Sequence, residues 1–156
     1  MVKLIKMNEA DFEKYLEHSV KEYADEKVKA GTWCEQESLE LAQQSFNHLL
    51  AQGLETEMHY LFTIMDSNSN EKVGYLWFKE NQNLEGKDAF IYDFLIFESY
   101  QGQGYGRQSL EELDKVAKEI GINKISLHVF AHNERALKLY EKMGFFATDI
   151  NMSKII

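Results

Sequence analysis

Residues 91–106 read IYDFLIFESYQGQGYG, and this stretch decides the fold. Its first half is rich in aromatic and branched residues, as is typical of a strand. Its second half places glycines at three alternate positions. The segment that follows repeats apolar residues at helical spacing (Leu110, Leu113 and Ala117), which predicts a strand, a tight loop and a helix in direct succession.

The glycine loop has the features of a phosphate site. Gly102, Gly104 and Gly106 allow the backbone to curl so that successive N–H groups converge on one point. The start of the helix adds unpaired donors and a positive dipole end, so the loop can bind a diphosphate without lysine. The P-loop and the dinucleotide fingerprint G-x-G-x-x-G are excluded, because this loop reads G-x-G-x-G and lacks Gly-Lys-Ser/Thr. A plain tight turn remains the alternative.

Composition argues against several classes of protein. The 156 residues carry a formal charge of −9, which argues against a nucleic-acid partner. No apolar run approaches the ~20 residues of a membrane span, and the N-terminus lacks a signal-peptide core. With one cysteine and no proline, we expect a single cytoplasmic domain spanning residues 1–156, without disulfides.

Periodicity along the chain predicts an α+β fold. A strand over 2–7 precedes two helices, the first capped by Asn8 and ended by Gly31, the second ended by Gly53. Three successive strands then predict an antiparallel meander, over 60–65, 72–79 and 89–97. The last third alternates, with a helix ended by Gly121, a strand over 125–130, a helix over 133–143 and a final strand or strand pair from Phe145 onward.

Two spaced motifs resemble the GNAT superfamily of acetyl-CoA-dependent N-acetyltransferases, in particular its small bacterial members. The first is the acyl-CoA signature Arg/Gln-x-x-Gly-x-Gly/Ala, matched by Gln101, Gly104 and Gly106. The second is an asparagine, a helix with Leu-Tyr and then Gly-Phe, matched by Asn133, Leu139, Tyr140, Gly144 and Phe145.

The resemblance implies a mixed, mostly antiparallel sheet with a splayed parallel central strand pair, flanked by about four helices. It also implies acetyl-CoA as cosubstrate and no metal. Pantetheine would take the place of a missing strand partner, the glycine loop would bind the diphosphate, and Asn133 would contact the pantetheine arm. The implied cofactor-binding residues are Phe94, Leu95, Ile96, Gln101, Gly102, Gln103, Gly104, Tyr105, Gly106, Arg107, Asn133 and Tyr140.

The implied reaction needs a base, an oxyanion donor and an acid. An amine of pKa near 10.4 is neutral at pH 7 only at a cost of about 4–5 kcal/mol, so a base or a water relay must take its proton. The resemblance implies that the Phe94 N–H donates a hydrogen bond to the developing oxyanion. It also implies that the Tyr140 hydroxyl acts as general acid toward the leaving thiolate.

The general base departs from the family pattern. Many members have a glutamate on this strand, whereas here Asp93 is the only carboxylate between Asp88 and Glu98. A carboxylate that interrupts an apolar run is costly unless it is paired or functional. Asp93 is therefore predicted as proton acceptor or ammonium ligand, and a structural, hydrogen-bonded aspartate is the alternative.

The acceptor is expected to be an amine. The family builds its acceptor pocket from the first two helices, where the acids Asp25, Glu26 and Glu35 lie near Trp33, whose ring can stack on a cation. The five histidines lack metal-ligand spacing, and Cys34 is interpreted as an inert thiol.

The function predicted from the sequence is transfer of an acetyl group from acetyl-CoA to a primary amine, in a small molecule, peptide or protein, by a monomer or homodimer. The alternative is a catalytically silent acyl-CoA-binding regulatory domain, which the absent glutamate leaves open.

Overall fold

The computed structural model describes all residues from Met1 to Ile156. Its helices and strands are, in chain order, β1 (Val2–Lys6), α1 (Glu9–Lys29), α2 (Glu35–Leu49), β2 (His59–Asp66), β3 (Lys72–Asn83), β4 (Gly86–Ile96), α3 (Tyr105–Glu119), β5 (Ile122–Leu127) and α4 (Glu134–Lys142). None of the helices is both long and apolar enough to span a membrane.

The five strands form one sheet in the order β1-β2-β3-β4-β5. The first three pairings are antiparallel, and β4 pairs with β5 in parallel, which confirms the mixed sheet and the meander. Two cores cover the sheet. On one face β-strand side chains pack with Leu110 and Leu113 of α3. On the other face they pack with Phe12 and Tyr15 of α1 and Phe46 of α2.

Local signals explain where the elements begin and end. The side chain of Asn8 accepts a hydrogen bond of 2.8 Å from the Asp11 N–H, as expected of an N-cap. Gly121 follows the end of α3 with a φ of +83°, a conformation that glycine adopts without strain.

Three assignments made from the sequence are wrong, two of them in the bounds of strands and one in the existence of a strand. β3 and β4 continue to a two-residue turn at Leu84 and Glu85, because Asn83 pairs with Gly86. β5 covers 122–127 rather than 125–130. The strand or strand pair expected from Phe145 onward is absent, since residues 146–156 are exposed and have no regular secondary structure. A segment with the sequence pattern of a strand forms one only when it can pair with a neighbouring strand.

Candidate active site

The parallel strands β4 and β5, at one edge of the sheet, separate partway along their length. β4 pairs with β5 only as far as Ile91 opposite Leu127, whereas β4 remains paired with β3 up to Ile96. The Phe97 N–H donates to the Val73 carbonyl on β3 at 2.9 Å. Because alternate N–H groups of a strand point to opposite edges, those of Phe94 and Ile96 point to the edge that β5 has left.

A β-bulge in β4 changes which side chains face the two cores. Asp93 lies opposite Trp77 on β3. The next pair is Ile91 with Phe78, which leaves Tyr92 as an extra residue. One extra residue reverses the alternation of a strand. Ile91 therefore packs in the core beneath α3, whereas Asp93 faces α1 on the opposite side of the sheet.

Asp93 is held by a residue of α1. The hydroxyl of Tyr15, which is fully buried, donates a hydrogen bond of 2.8 Å to Oδ2 of Asp93. Burial raises the pKa of Asp93 and the charge of Glu22 adds to this, while the Tyr15 hydrogen bond acts in the opposite direction. A raised pKa makes this carboxylate a better proton acceptor than an exposed aspartate.

A cavity of about 360 Å³ begins at Asp93. It lies among α1, α2, β3, β4 and the segment from Leu127 into α4, so it occupies the place where β4 and β5 have separated. Ser19 of α1 lines it, is 4% exposed and has a hydroxyl without a hydrogen-bond partner. The cavity lining thus contains the Asp93 carboxylate of β4, the carboxylates of Glu22 and Glu26 on α1, and the unsatisfied Ser19 hydroxyl.

Tyr140 lines the same cavity from α4. Its ring centroid lies 6.4 Å from that of Phe94, and 5.6 Å from that of Phe145. Burial raises the pKa of Tyr140 well above its usual value, and the negative charge of Asp93 raises it further. The phenol therefore stays protonated across the physiological pH range and is available as a hydrogen-bond donor.

The glycine loop leaves a run of backbone amides unpaired. No intramolecular hydrogen bond involves the six consecutive N–H groups of residues 102–107, which include Gly102, Gln103, Gly104, Tyr105, Gly106 and Arg107. They stand at the N-terminus of α3, where the helix dipole favours an anion. Gly102 and Gly104 have φ values of +77° and +86°. This arrangement fits a diphosphate, as expected from the sequence.

Side chains of the loop hold its shape rather than point to a ligand. Gln101 donates to the carbonyl of Ile96 at 2.9 Å, and its amide oxygen accepts a 2.9 Å hydrogen bond from Arg135 of α4. The Tyr105 hydroxyl donates to Asp66 at 2.7 Å, which ties the start of α3 to the end of β2.

Close packing explains the last glycine of the loop. A Cβ on Gly106 would lie 2.9 Å from a methyl group of Leu139, so a residue without a side chain lets α3 approach α4. The exposed Arg107 lies 3.8 Å from Glu111 in the next turn of its own helix.

Asn133 precedes α4, and its side chain accepts a 3.3 Å hydrogen bond from the Ala136 N–H. It is thus an N-cap, as its sequence position also indicates, and it lines the cavity as well.

The acids predicted for acceptor binding are only partly brought together. Glu26 lines the cavity but contacts His132 and lies 3.8 Å from Lys29. Asp25 and Glu35 are exposed and outside the cavity lining. Trp33 also lies outside the lining, with its ring 5.5 Å from that of Tyr23. No group of three or more His, Cys, Asp or Glu side chains is placed to hold a metal ion.

Sequence reasoning missed the residues of α1 that face Asp93. Tyr15, Ser19 and Glu22 recur at intervals of four and three residues, so they share one helix face with Tyr23. Ser19 and Glu22 are polar, so a search for apolar residues at helical spacing does not select this face. A search for helical spacing that included serine and tyrosine would have found it.

Comparison with known proteins gives one family. The model of the Acetyltransferase (GNAT) family matches residues 13–145. The N-acetyltransferase YycN of Bacillus subtilis (strain 168) is 46% identical over 153 residues, covering 98% of this chain and 97% of YycN. The N-acetyltransferase YdgE of the same strain is 37% identical, covering 95% and 94%. Both relatives are named uncharacterized. The crystal structure of YycN superimposes with a TM-score of 0.95, covering 100% of this chain and 99% of YycN.

Proposed function

This chain belongs to the GNAT family and is an acetyltransferase, and from this we propose that it moves an acetyl group from acetyl-CoA to a primary amine by direct attack in a ternary complex. Residues 1–156 would act as one catalytic domain, a monomer or a homodimer. The alternative of a silent acyl-CoA-binding domain is set aside, because the relatives are named N-acetyltransferases. Asp93 and Tyr140 are proposed as the base and the acid of the site.

One observation supports the proposal above all others. The six unpaired amides of residues 102–107 follow directly on the strand that carries Asp93 and the outward-pointing amides of Phe94 and Ile96. A long ligand with a diphosphate at one end and an extended amide-bearing arm would satisfy both sets of donors. Acetyl-CoA has that shape, and it would supply an activated acetyl thioester at the cavity.

Asp93 is proposed as the proton acceptor. Its carboxylate is half-buried and lines the cavity, and Tyr15 occupies only Oδ2. Proton transfer from an ammonium to a carboxylate of raised pKa is less uphill than transfer to an ordinary one. A structural role for this side chain is compatible with the same hydrogen bond, so its contribution to rate is what an experiment must measure.

Phe94 and Tyr140 are proposed to stabilise the negative charge that develops on two atoms during the reaction, the acetyl oxygen and the thioester sulfur. The amine nitrogen forms a bond to the acetyl carbon while the carbon–sulfur bond breaks, and no electron is gained or lost overall. The Phe94 N–H would donate to the acetyl oxygen. Asp93 would take the proton that the ammonium loses before attack. The Tyr140 hydroxyl would give its proton to the departing sulfur, so that CoA leaves as the thiol, and the second proton lost by the nitrogen would restore the phenol.

Two experiments test this function. Calorimetry compares the binding of acetyl-CoA with that of acetyl-pantetheine, which lacks the diphosphate. A free-thiol release assay over a panel of amines measures acetyl transfer. We expect acetyl-CoA to bind at least ~10-fold more tightly, since only it reaches the amides of residues 102–107. Equal binding of the two, or no uptake of acetyl-CoA at millimolar concentration, contradicts the proposed function.

A further inference from the structure

The part of the cavity between α2 and the bulge has an apolar wall. Its members are Phe46 and Leu49 of α2, Trp77 of β3, and Phe90 and Tyr92 of β4. The Tyr92 ring stacks on Trp77 with centroids 4.8 Å apart, and Phe90 meets Tyr92 edge-on at 5.0 Å. Tyr92 is 37% exposed, because the bulge turns it outward, so an apolar ligand here would bury aromatic surface that now faces water.

Hydrogen-bonding groups on this part of the lining are few. The hydroxyl of Ser45 already donates to the Leu41 carbonyl at 2.9 Å. Lys27 places its ammonium over the rings of Tyr23 and Trp33, at 5.6 and 5.4 Å. Little is therefore available to pair with several hydroxyl groups of a ligand.

The carboxylates of the lining and the buried Ser19 hydroxyl come from α1 and β4. They are Asp93 of β4 and Ser19, Glu22 and Glu26 of α1, and Glu26 already contacts His132. Glu22 lies 2.6 Å from His18 on the outer face of α1, so its charge is at the rim of the cavity. A single nitrogen donor placed between Asp93 and Ser19 would satisfy the one buried side chain of this site that lacks a partner.

We propose that the acceptor is a primary monoamine with an apolar body, whose nitrogen lies between Asp93 and Ser19 and whose body lies against Tyr92, Phe90 and the α2 side chains. This inference rests on the proposed function and adds the chemical class of the acceptor.

The lining discriminates against two other classes of amine. A second ammonium of a diamine would lose its hydration against Phe46, Leu49 and Phe90, because the other carboxylates of the lining, Glu22 and Glu26, belong to α1 and already contact His18 and His132. An amino sugar would bring several hydroxyl groups to a wall whose polar side-chain groups are the Tyr92 hydroxyl and the Trp77 indole N–H, and the indole N–H already donates to His59. A monoamine with a phenyl or alkyl body incurs neither penalty.

The test compares 2-phenylethylamine, hexylamine, 1,4-diaminobutane and glucosamine as acceptors at saturating acetyl-CoA. We expect kcat/KM for the first two to exceed that for the last two by about 10- to 100-fold, the range that apolar pocket contacts provide. A kcat/KM for diaminobutane or glucosamine equal to or above that for phenylethylamine overturns the inference and leaves the proposed function standing.

Substitutions in the apolar wall test which side chains contact the acceptor. Tyr92→Ala should lower kcat/KM for phenylethylamine by about 10-fold while the KM for acetyl-CoA is unchanged, and Tyr92→Phe should restore it, because the ring and not the hydroxyl makes the contact. Phe146→Ala removes an aromatic ring that is 83% exposed and outside the cavity, and it serves as the matched control. Equal activity of Tyr92→Ala and Phe146→Ala contradicts the inference.

Binding separates this inference from the proposed function. If no amine is acetylated, calorimetry with phenylethylamine and diaminobutane on CoA-saturated protein decides the question. Selective uptake of phenylethylamine supports the acceptor class although the proposed reaction has failed. Equal uptake, or uptake of neither amine, overturns the acceptor class as well.

Discussion

The Tyr15 hydroxyl donates a 2.8 Å hydrogen bond to Oδ2 of Asp93, and this contact joins α1 to the bulge of β4 across 78 positions of sequence. It places a carboxylate at the cavity where β4 and β5 separate. The first prediction tests whether this contact adjusts the basicity of Asp93.

Tyr15→Phe removes the hydrogen bond that lowers the pKa of Asp93 while burial continues to raise it. The pKa of Asp93 should therefore rise further, and the acidic limb of kcat/KM against pH should move to higher pH. The plateau should change only a few-fold, because the base itself remains.

The matched control is Tyr60→Phe, which removes another 2.8 Å hydrogen bond from a tyrosine to a carboxylate, that of Glu80, outside the cavity. An acidic limb that stays in place in Tyr15→Phe, or moves equally in both variants, shows that Tyr15 has no particular effect on the base.

Asp93→Asn should lower kcat/KM at neutral pH by about 10²- to 10⁴-fold, the usual contribution of a general base. The amide is close in shape and its oxygen can still accept the Tyr15 hydrogen bond, so the loss reports proton transfer. An activity within a few-fold of the parent would assign Asp93 a structural role and the proton to a water relay.

The same substitution should stabilise the fold at neutral pH. Burial raises the pKa of Asp93 above its ordinary 3.8, so the folded state binds this proton more tightly than the unfolded state does. Stability of the parent therefore falls as pH rises from 3.8 through the raised pKa. Thermal unfolding should give Asp93→Asn a Tm a few degrees higher at pH 7, with the difference vanishing toward pH 3.5. Asp114→Asn on the exposed surface of α3 is the control.

Tyr140→Phe keeps the ring packed beside Phe94 and Phe145 but removes the hydroxyl. We expect kcat to fall by about 10²-fold or more while the affinity for acetyl-CoA stays within a few-fold. Steady-state kinetics and calorimetry measure the two quantities separately. An unchanged kcat removes Tyr140 from the mechanism.

Gly104→Ala and Gly121→Ala form a matched pair for the phosphate loop. Both glycines have φ values near +85°, and an added Cβ on either meets nothing closer than 3.7 Å, so each substitution should cost about 1–2 kcal/mol of stability through backbone strain. Only Gly104 belongs to the run of unpaired amides. The KM for acetyl-CoA should rise about 10-fold in Gly104→Ala and remain unchanged in Gly121→Ala; an equal response of both variants argues against a cofactor role for the loop.

The elements that sequence reasoning predicted correctly have local causes. The cap at Asn8, the glycine at position 121 and the alternation of residues 60–65 act within a few residues of themselves. The strand, glycine loop and helix of residues 91–106 were predicted for the same reason. The pattern from Phe145 onward predicted a strand wrongly, because pairing depends on a neighbour that local sequence does not specify.

The acids predicted to bind the acceptor show more clearly what local sequence cannot predict. Asp25, Glu26 and Glu35 are close in sequence, but only Glu26 reaches the cavity. The residues that do face Asp93 come from α1, far away in sequence. Proximity along the chain is a poor guide to a pocket built from α1, α2, β3, β4, the end of β5 and α4.

The amino-acid sequence by itself determined the glycine loop, the order of strands and helices and the family, since each depends on residue spacing within a short segment. The tertiary structure alone decided that Asp93 faces α1, because one extra residue at Tyr92 reverses the side-chain alternation of β4. It also decided that an aromatic wall and an unsatisfied Ser19 share its cavity, because separation of β4 and β5 opens space that packing of α1 and α2 then lines.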